Sequence, residues 1–178
     1  MNTIEIKGLC KSYEGFSFDN LSLILPRGCI MGLIGENGAG KSTTIKLILN
    51  IIRRDSGEIK LFGEDNSNPA LKEDIGVVLD EVGIFSSLNA VNVGKIMSGI
   101  YKNWEDQVYN GYIERLELPK KKEFGDYSRG MKMKLGIAVA LSHKPKLLIL
   151  DEATSGLDPV VRDEVLNIFS EFTRDESC

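Results

Sequence analysis

With 178 residues, a formal net charge of −4 and a pI near 5.2, the chain is long enough to bury one sizeable core, and its surface offers no broad electrostatic pull on nucleic acid. Its 42% hydrophobic and 27% charged residues exclude a disordered or membrane-spanning chain, since no apolar run approaches the roughly 20 residues that a bilayer crossing needs. Met1-Asn2-Thr3 lacks the features of a signal peptide, and Cys10, Cys29 and Cys178 show neither metal spacing nor a disulfide pattern, so a reducing, cytosolic setting is expected.

Residues 3 to 34 read as short strands with a turn at Glu14-Gly15. The apolar run Ile30-Met31-Gly32-Leu33-Ile34 is predicted to be a buried parallel strand. It feeds Gly35-Glu36-Asn37-Gly38-Ala39-Gly40-Lys41-Ser42-Thr43, which meets the chemical needs of a Walker A phosphate loop. Glycines let successive backbone amides face one point, Lys41 adds a point charge, and the Ser42 hydroxyl is placed to ligate Mg²⁺. A dinucleotide-binding loop needs G-x-G-x-x-G, which the spacing of Gly35, Gly38 and Gly40 does not give.

A helix is predicted from Thr43 to about Ile52, then a hairpin over Gly57 to Phe62 and a strand Ile75-Gly76-Val77-Val78-Leu79. Helical spacing follows over Leu88 to Tyr101, Trp104 to Leu116 and Ser128 to Leu141. Val91, Ile96 and Ile100 on the first of these and Val108, Tyr112 and Leu116 on the second suggest an apolar seam between two helices. Trp104 suits either a packing anchor or an exposed contact, and Lys120-Lys121-Lys122 reads as a solvated bend. His143 closes the third helix, where a partly charged imidazole would suit the helix dipole.

Leu147-Leu148-Ile149-Leu150-Asp151-Glu152 is how a central strand delivers two carboxylates to its C-terminal edge, where ligands bind in such sheets. Asp151 is the candidate Mg²⁺ partner, and Glu152 the candidate to orient and deprotonate an attacking water. Val160 to Thr173 is amphipathic, with Val161, Val165, Ile168, Phe169 and Phe172 on a face expected to lie on a sheet.

The order of Walker A, Tyr127-Ser128-Arg129-Gly130-Met131, Asp151-Glu152 and Ser155-Gly156-Leu157-Asp158 resembles the nucleotide-binding domain of ABC transporters over nearly the whole chain. The resemblance implies an α/β fold: a P-loop NTPase three-layer core, a small antiparallel β region and an inserted helical subdomain. It divides the chain into a first core part at 1–81, a helical subdomain with the signature at 82–144, and a second core part at 145–178. Leu9-Cys10-Lys11-Ser12-Tyr13 looks like the A-loop, which makes Tyr13 the candidate adenine contact. The signature keeps Ser128 and Gly130 and departs from the usual Leu-Ser-Gly-Gly-Gln at Tyr127, Arg129 and Met131; such variants resemble those of ATPase subunits serving separately encoded, often export-type, permeases. Independently of the name, Ser128 and Gly130 open a helix whose end can hold an anion, and Ser128 can also cap it. Where the family has its Q-loop glutamine this chain has Asp80, a candidate metal contact.

The implied function is ATP hydrolysis, with ATP and Mg²⁺ held between two copies, in a homodimer or heterodimer, and coupled to a separate transmembrane permease. The location implied is cytoplasmic, on the inner face of the membrane. The switch histidine of the family has no counterpart, so the chain is expected to be part of a longer domain and to hydrolyse ATP weakly or not at all by itself. Two other readings stay open. A non-transport ABC ATPase of DNA repair or translation would carry a long coiled coil or two such domains, and a non-hydrolysing nucleotide-binding module would give no turnover in a longer chain.

Overall fold

The computed structural model describes residues 2–13, 16–36, 38–79, 82–152 and 157–174. The described residues form two compact units, divided between Leu71 and Lys72.

The first unit is built on a four-stranded antiparallel sheet of order β2-β1-β3-β4, from β1 (Asn2–Tyr13), β2 (Phe16–Pro26), β3 (Ser56–Leu61) and β4 (Glu64–Asp65). Ile4 and Ile6 alternate inward and pair with Leu61 and Ile59. The register shifts at Gly8, which sits at φ +55°, and this bulge re-phases the strand so that Leu9 is also buried. Helix α1 (Lys41–Ile48) begins two residues earlier than the spacing predicts. It ends in a Schellman turn in which Asn50 takes a left-handed φ of 54°, the Ile51 amide donates to the Lys46 carbonyl at 2.9 Å, and the Asn50 amide to Leu47 at 3.1 Å. Buried Asn66 then caps the same end, its Nδ2 donating to the Leu47 and Ile48 carbonyls at 2.7 and 3.0 Å.

One expectation for this unit fails. Residues 29–36 form no strand, and Ile30 and Ile34 are 77% and 99% exposed. A buried parallel strand requires ladder partners at its edges and packing on both faces. No described strand pairs with this segment, so its apolar content alone does not make it regular.

The second unit contains a parallel pair, β5 (Ile75–Val78) and β6 (Leu147–Leu150), in the register Ile75 opposite Leu147 through Val78 opposite Leu150. Around it are α2 (Ala90–Ile100), α3 (Asp106–Arg115), α4 (Arg129–Leu141) and α5 (Pro159–Arg174). Helix α4 is central: Met133, Leu135, Gly136, Ile137, Ala138, Ala140 and Leu141 are all buried. Its close approach to β5 depends on Gly76, where a Cβ would sit 2.6 Å from the Ala140 carbonyl oxygen.

The seam between α2 and α3 differs from the expected one. Val91, Ile96 and Ile100 face solvent, while Ala90, Val93 and Gly94 are buried. The bulky Tyr109 ring of α3 selects the small face of α2, since a Cβ at Gly94 would come within 2.6 Å of it, and the Tyr109 hydroxyl donates to the Ala90 carbonyl at 2.8 Å. Trp104 packs against the same ring, with centroids 5.0 Å apart. The apolar face of α5 is as expected, but Val165 and Ile168 are buried in the core that α3 and α4 share with the sheet residues Val78, Leu148 and Leu150.

Candidate functional site

In the first unit, the phosphate loop leads directly into α1. Gly38 and Gly40 sit at φ +86° and +89°, a region that side chains strain to enter, which is the physical demand behind glycine at those two positions. Gly40 is the N-cap of α1 and makes no side-chain capping bond, so the helix N-terminus presents backbone donors toward the loop. The Ala39 amide closes the loop on the Glu36 carbonyl at 3.1 Å. Lys41 Nζ donates to the Gly35 and Glu36 carbonyls at 2.8 Å each, which folds the ammonium back over the loop's own backbone. Ser42 is exposed and Thr43 half-buried in the first turn. Asn37 lies outside the described residues.

Tyr13 ends β1 and is 45% exposed, with the Lys11 ammonium 5.0 Å from its ring centroid.

In the second unit, the Asp151 amide donates to the Val78 carbonyl at 2.9 Å, extending the parallel ladder one residue past β6 and placing the carboxylates at the C-terminal edge of that strand. Glu152 follows, exposed, at a left-handed φ of 52°. Asp80 and Ser155-Gly156 lie outside the described residues. Asp158 caps α5, its carboxylate accepting from the Val161 amide at 3.1 Å, and Leu157 is buried.

Ser128 is the N-cap of α4, its Oγ accepting from the Met131 amide at 3.2 Å. Tyr127, one of the departures in the signature, is buried and its hydroxyl donates to the Pro119 carbonyl at 2.6 Å, so the ring anchors the turn ahead of the helix. A Cβ at Gly130 would meet Leu157 and Val161 at 3.8 Å, an ordinary contact, and its φ is not positive. Neither internal packing nor backbone conformation therefore demands glycine there. The same distances bring Leu157 and Val161 against the first turn of α4.

His143 departs from its expected role. The ring is 1% exposed and stacked on Tyr101, with Nε2 3.3 Å from the Ile75 carbonyl and Nδ1 without a hydrogen bond of normal geometry. Burial pushes its pKa below 6.5, outweighing the carbonyls of Ile75 and Val139 and the charges of Glu73 and Asp74 that favour the protonated form. The imidazole is a neutral core side chain and not a cation balancing the helix dipole.

Asp55 and Asn66 bond to backbone distant in sequence, Asp55 accepting from the Ser12 amide and Asn66 donating to the Leu47 and Ile48 carbonyls, roles that local sequence does not specify.

The family described as ABC transporter matches residues 18–155. The bacitracin transport ATP-binding protein BcrA of Enterococcus faecalis is 35% identical over 97% of this chain and 58% of its own length. The lantibiotic transport ATP-binding protein SrtF of Streptococcus pyogenes is 34% identical over 95% of this chain and 74% of its own. The BcrA proteins of E. faecalis and Bacillus licheniformis are matched over 58% and 54% of their length, so the chain spans little more than half of these relatives. A solved ATP-binding subunit of an ABC transporter superposes with a TM-score of 0.85 at 26% identity, covering 97% of this chain and 75% of that one. The fold is that of the P-loop NTPases of this class, and the chain belongs to the ABC transporter family.

Proposed function

We propose that this chain is the ATP-binding part of a transporter subunit that binds and hydrolyses ATP and drives a separate membrane permease. The observation that carries the reading is the phosphate loop: Gly38 and Gly40 in left-handed conformations, and the Lys41 ammonium within 2.8 Å of two loop carbonyls at the N-terminus of α1. Relatives named for the transport of bacitracin and a lantibiotic support a transport partner. No described helix is long and apolar enough to cross a membrane, which is compatible with a permease on another chain.

In this reading the loop amides and Lys41 hold the outer phosphates, with Gly35, Gly38, Ala39, Gly40 and Thr43 shaping the cradle and Asn37 completing it. Tyr13 stacks on adenine. The Ser42 hydroxyl and Asp151 carboxylate, with Asp80 as a third, are the hard oxygen donors that would hold magnesium, which would neutralise phosphate charge there. Glu152 orients the attacking water and takes its proton. Ser128 and Gly130 of a second copy close over the nucleotide, and the freedom of Gly130 from internal packing supports an approach from outside the chain. The divisions at 1–81, 82–144 and 145–178 then correspond to core, helical subdomain and core.

Thermal melts with and without Mg-ATP test the reading. At 100 times its dissociation constant the ligand stabilises by about 2.7 kcal/mol, on the order of 5–10 °C for a domain of this size. Lys41→Ala is expected to abolish the shift, and a shift that survives in the variant would place the ligand elsewhere. Glu152→Gln is expected to retain ATP and accumulate an ATP-dependent dimer, detected by sedimentation; monomers in both forms would remove the two-copy site.

A further inference from the structure

The loop after α1 turns back onto the end of β1, and Asp55 makes three bonds there. Its amide donates to the Cys10 carbonyl at 3.1 Å, one carboxylate oxygen accepts from the Ser12 amide at 2.8 Å, and the other accepts from Lys11 Nζ at 2.7 Å. Gly57 permits this approach: it sits at φ +89°, and a Cβ would lie 2.4 Å from the Gly8 carbonyl oxygen. The Lys11 side chain is only 14% exposed, whereas Asp55 is 46% exposed. Hydrogen bonds from Lys11 and then Ser12 hold the Asp55 carboxyl below its ordinary range, so the pair is charged at neutral pH.

Lys11 and Tyr13 are two apart on one strand and share a face. With its Nζ anchored by Asp55, Lys11 lies 5.0 Å from the Tyr13 ring centroid, inside the range of attraction between an ammonium and an aromatic face. The ring keeps nearly half its surface exposed at the end of the strand. A cation fixed on one side orients such a ring and draws its electron density, making it a firmer partner for an electron-rich base stacked against it.

We propose that Lys11, locked by Asp55, is a positioning residue that holds Tyr13 as a platform for the purine base of the nucleotide. This rests on the reading of Tyr13 as the base contact. A mere staple between loop and strand would act on stability and on all ligands alike, whereas a platform acts only on ligands that carry a base.

The test compares binding of Mg-ATP and of inorganic tripolyphosphate, by calorimetry, to the wild-type chain and to Tyr13→Ala, Lys11→Met and Lys11→Arg. Tyr13→Ala is expected to weaken ATP at least about fivefold, the lower end of what one stacked base contributes. Lys11→Met is expected to weaken ATP about two- to fivefold, leaving tripolyphosphate unchanged, and Lys11→Arg to restore ATP binding. If Tyr13→Ala is selective for ATP but Lys11→Met affects both ligands equally, or neither, the positioning role falls while the Tyr13 reading stands. If Tyr13→Ala leaves the ratio of the two affinities unchanged, or if wild type binds ATP no tighter than tripolyphosphate, the Tyr13 reading falls and the positioning role with it.

Discussion

The imidazole of His143 lies flat on the ring of Tyr101, the centroids 4.0 Å apart and the planes 10° from parallel. This stack joins the segment after α4 to the end of α2, and the contact of Nε2 with the Ile75 carbonyl adds the start of β5. A proton on this ring would have to be buried. The facing acids, Glu73 and Asp74, compensate only in part, as does the backbone; Asp74 is itself ion-paired with Lys146 at 2.9 Å.

Stability should therefore depend on pH in a defined sense. The unfolded histidine titrates near 6.5 and the folded one lower, so the unfolded state binds the proton first as pH falls. The contribution of neutral His143 is complete above about pH 6.5 and is lost progressively as pH drops through that value toward the lowered folded pKa. His143→Phe keeps a ring on Tyr101 and removes the titration. Urea midpoints measured from pH 8 to 5 should fall more steeply for wild type than for His143→Phe, and parallel curves would contradict the assignment.

Two glycines of α2 should respond oppositely to alanine. A Cβ at Gly94 would strike the Tyr109 ring at 2.6 Å, and relief requires moving a ring whose hydroxyl is bonded to Ala90. Gly94→Ala should cost about 1–3 kcal/mol. Gly99 has nothing within 4 Å, so Gly99→Ala should stabilise by up to about 1 kcal/mol through helix propensity. Chemical denaturation of the two variants checks both signs.

Asn66 is a buried amide that caps α1 and accepts from Arg54 at 2.6 Å. Asn66→Ala should cost about 1–3 kcal/mol, because the Ile48 carbonyl loses its side-chain donor and the Leu47 carbonyl keeps only the Asn50 amide. Asn66→Asp, of equal size but without the donor, should cost no less. A loss below about 0.5 kcal/mol in both, measured by urea titration, would show that water replaces the amide.

Helix α5 is tied to α4 by Lys134 and Glu164 at 2.7 Å and to α3 by Arg115 and Glu171 at 2.6 and 2.7 Å. The first pair is 14% and 29% exposed, the second 42% and 54%. Screening by water should leave the first pair a coupling of about 1 kcal/mol and the second pair a smaller one. Double-mutant cycles with methionine for the cations and glutamine for the acids measure both, and equal couplings would mean that exposure does not set their strength.

Features whose cause is local could be read from the sequence alone. Gly38 and Gly40 are glycines because the loop needs left-handed torsions, Ser128 caps α4 because its oxygen reaches an amide three residues on, and the apolar spacing of α5 sets its buried face. Features whose cause is another part of the chain were decided only by tertiary structure. Ile30 to Ile34 is as apolar as a core strand, yet burial depends on neighbours that the spacing of its own residues does not specify. Val91, Ile96 and Ile100 recur at helical intervals, but the Tyr109 ring needs the smallest face of α2 and so Gly94 turns inward. His143 reads as a partly charged helix end until Tyr101 covers it, and nothing near Lys11 in sequence shows that Asp55, 44 residues later, fixes its ammonium beside Tyr13. Torsional preference and capping act over a few bonds and leave their mark in neighbouring letters. Packing and ion pairing act through space, between residues that only the folded chain brings within a few ångströms.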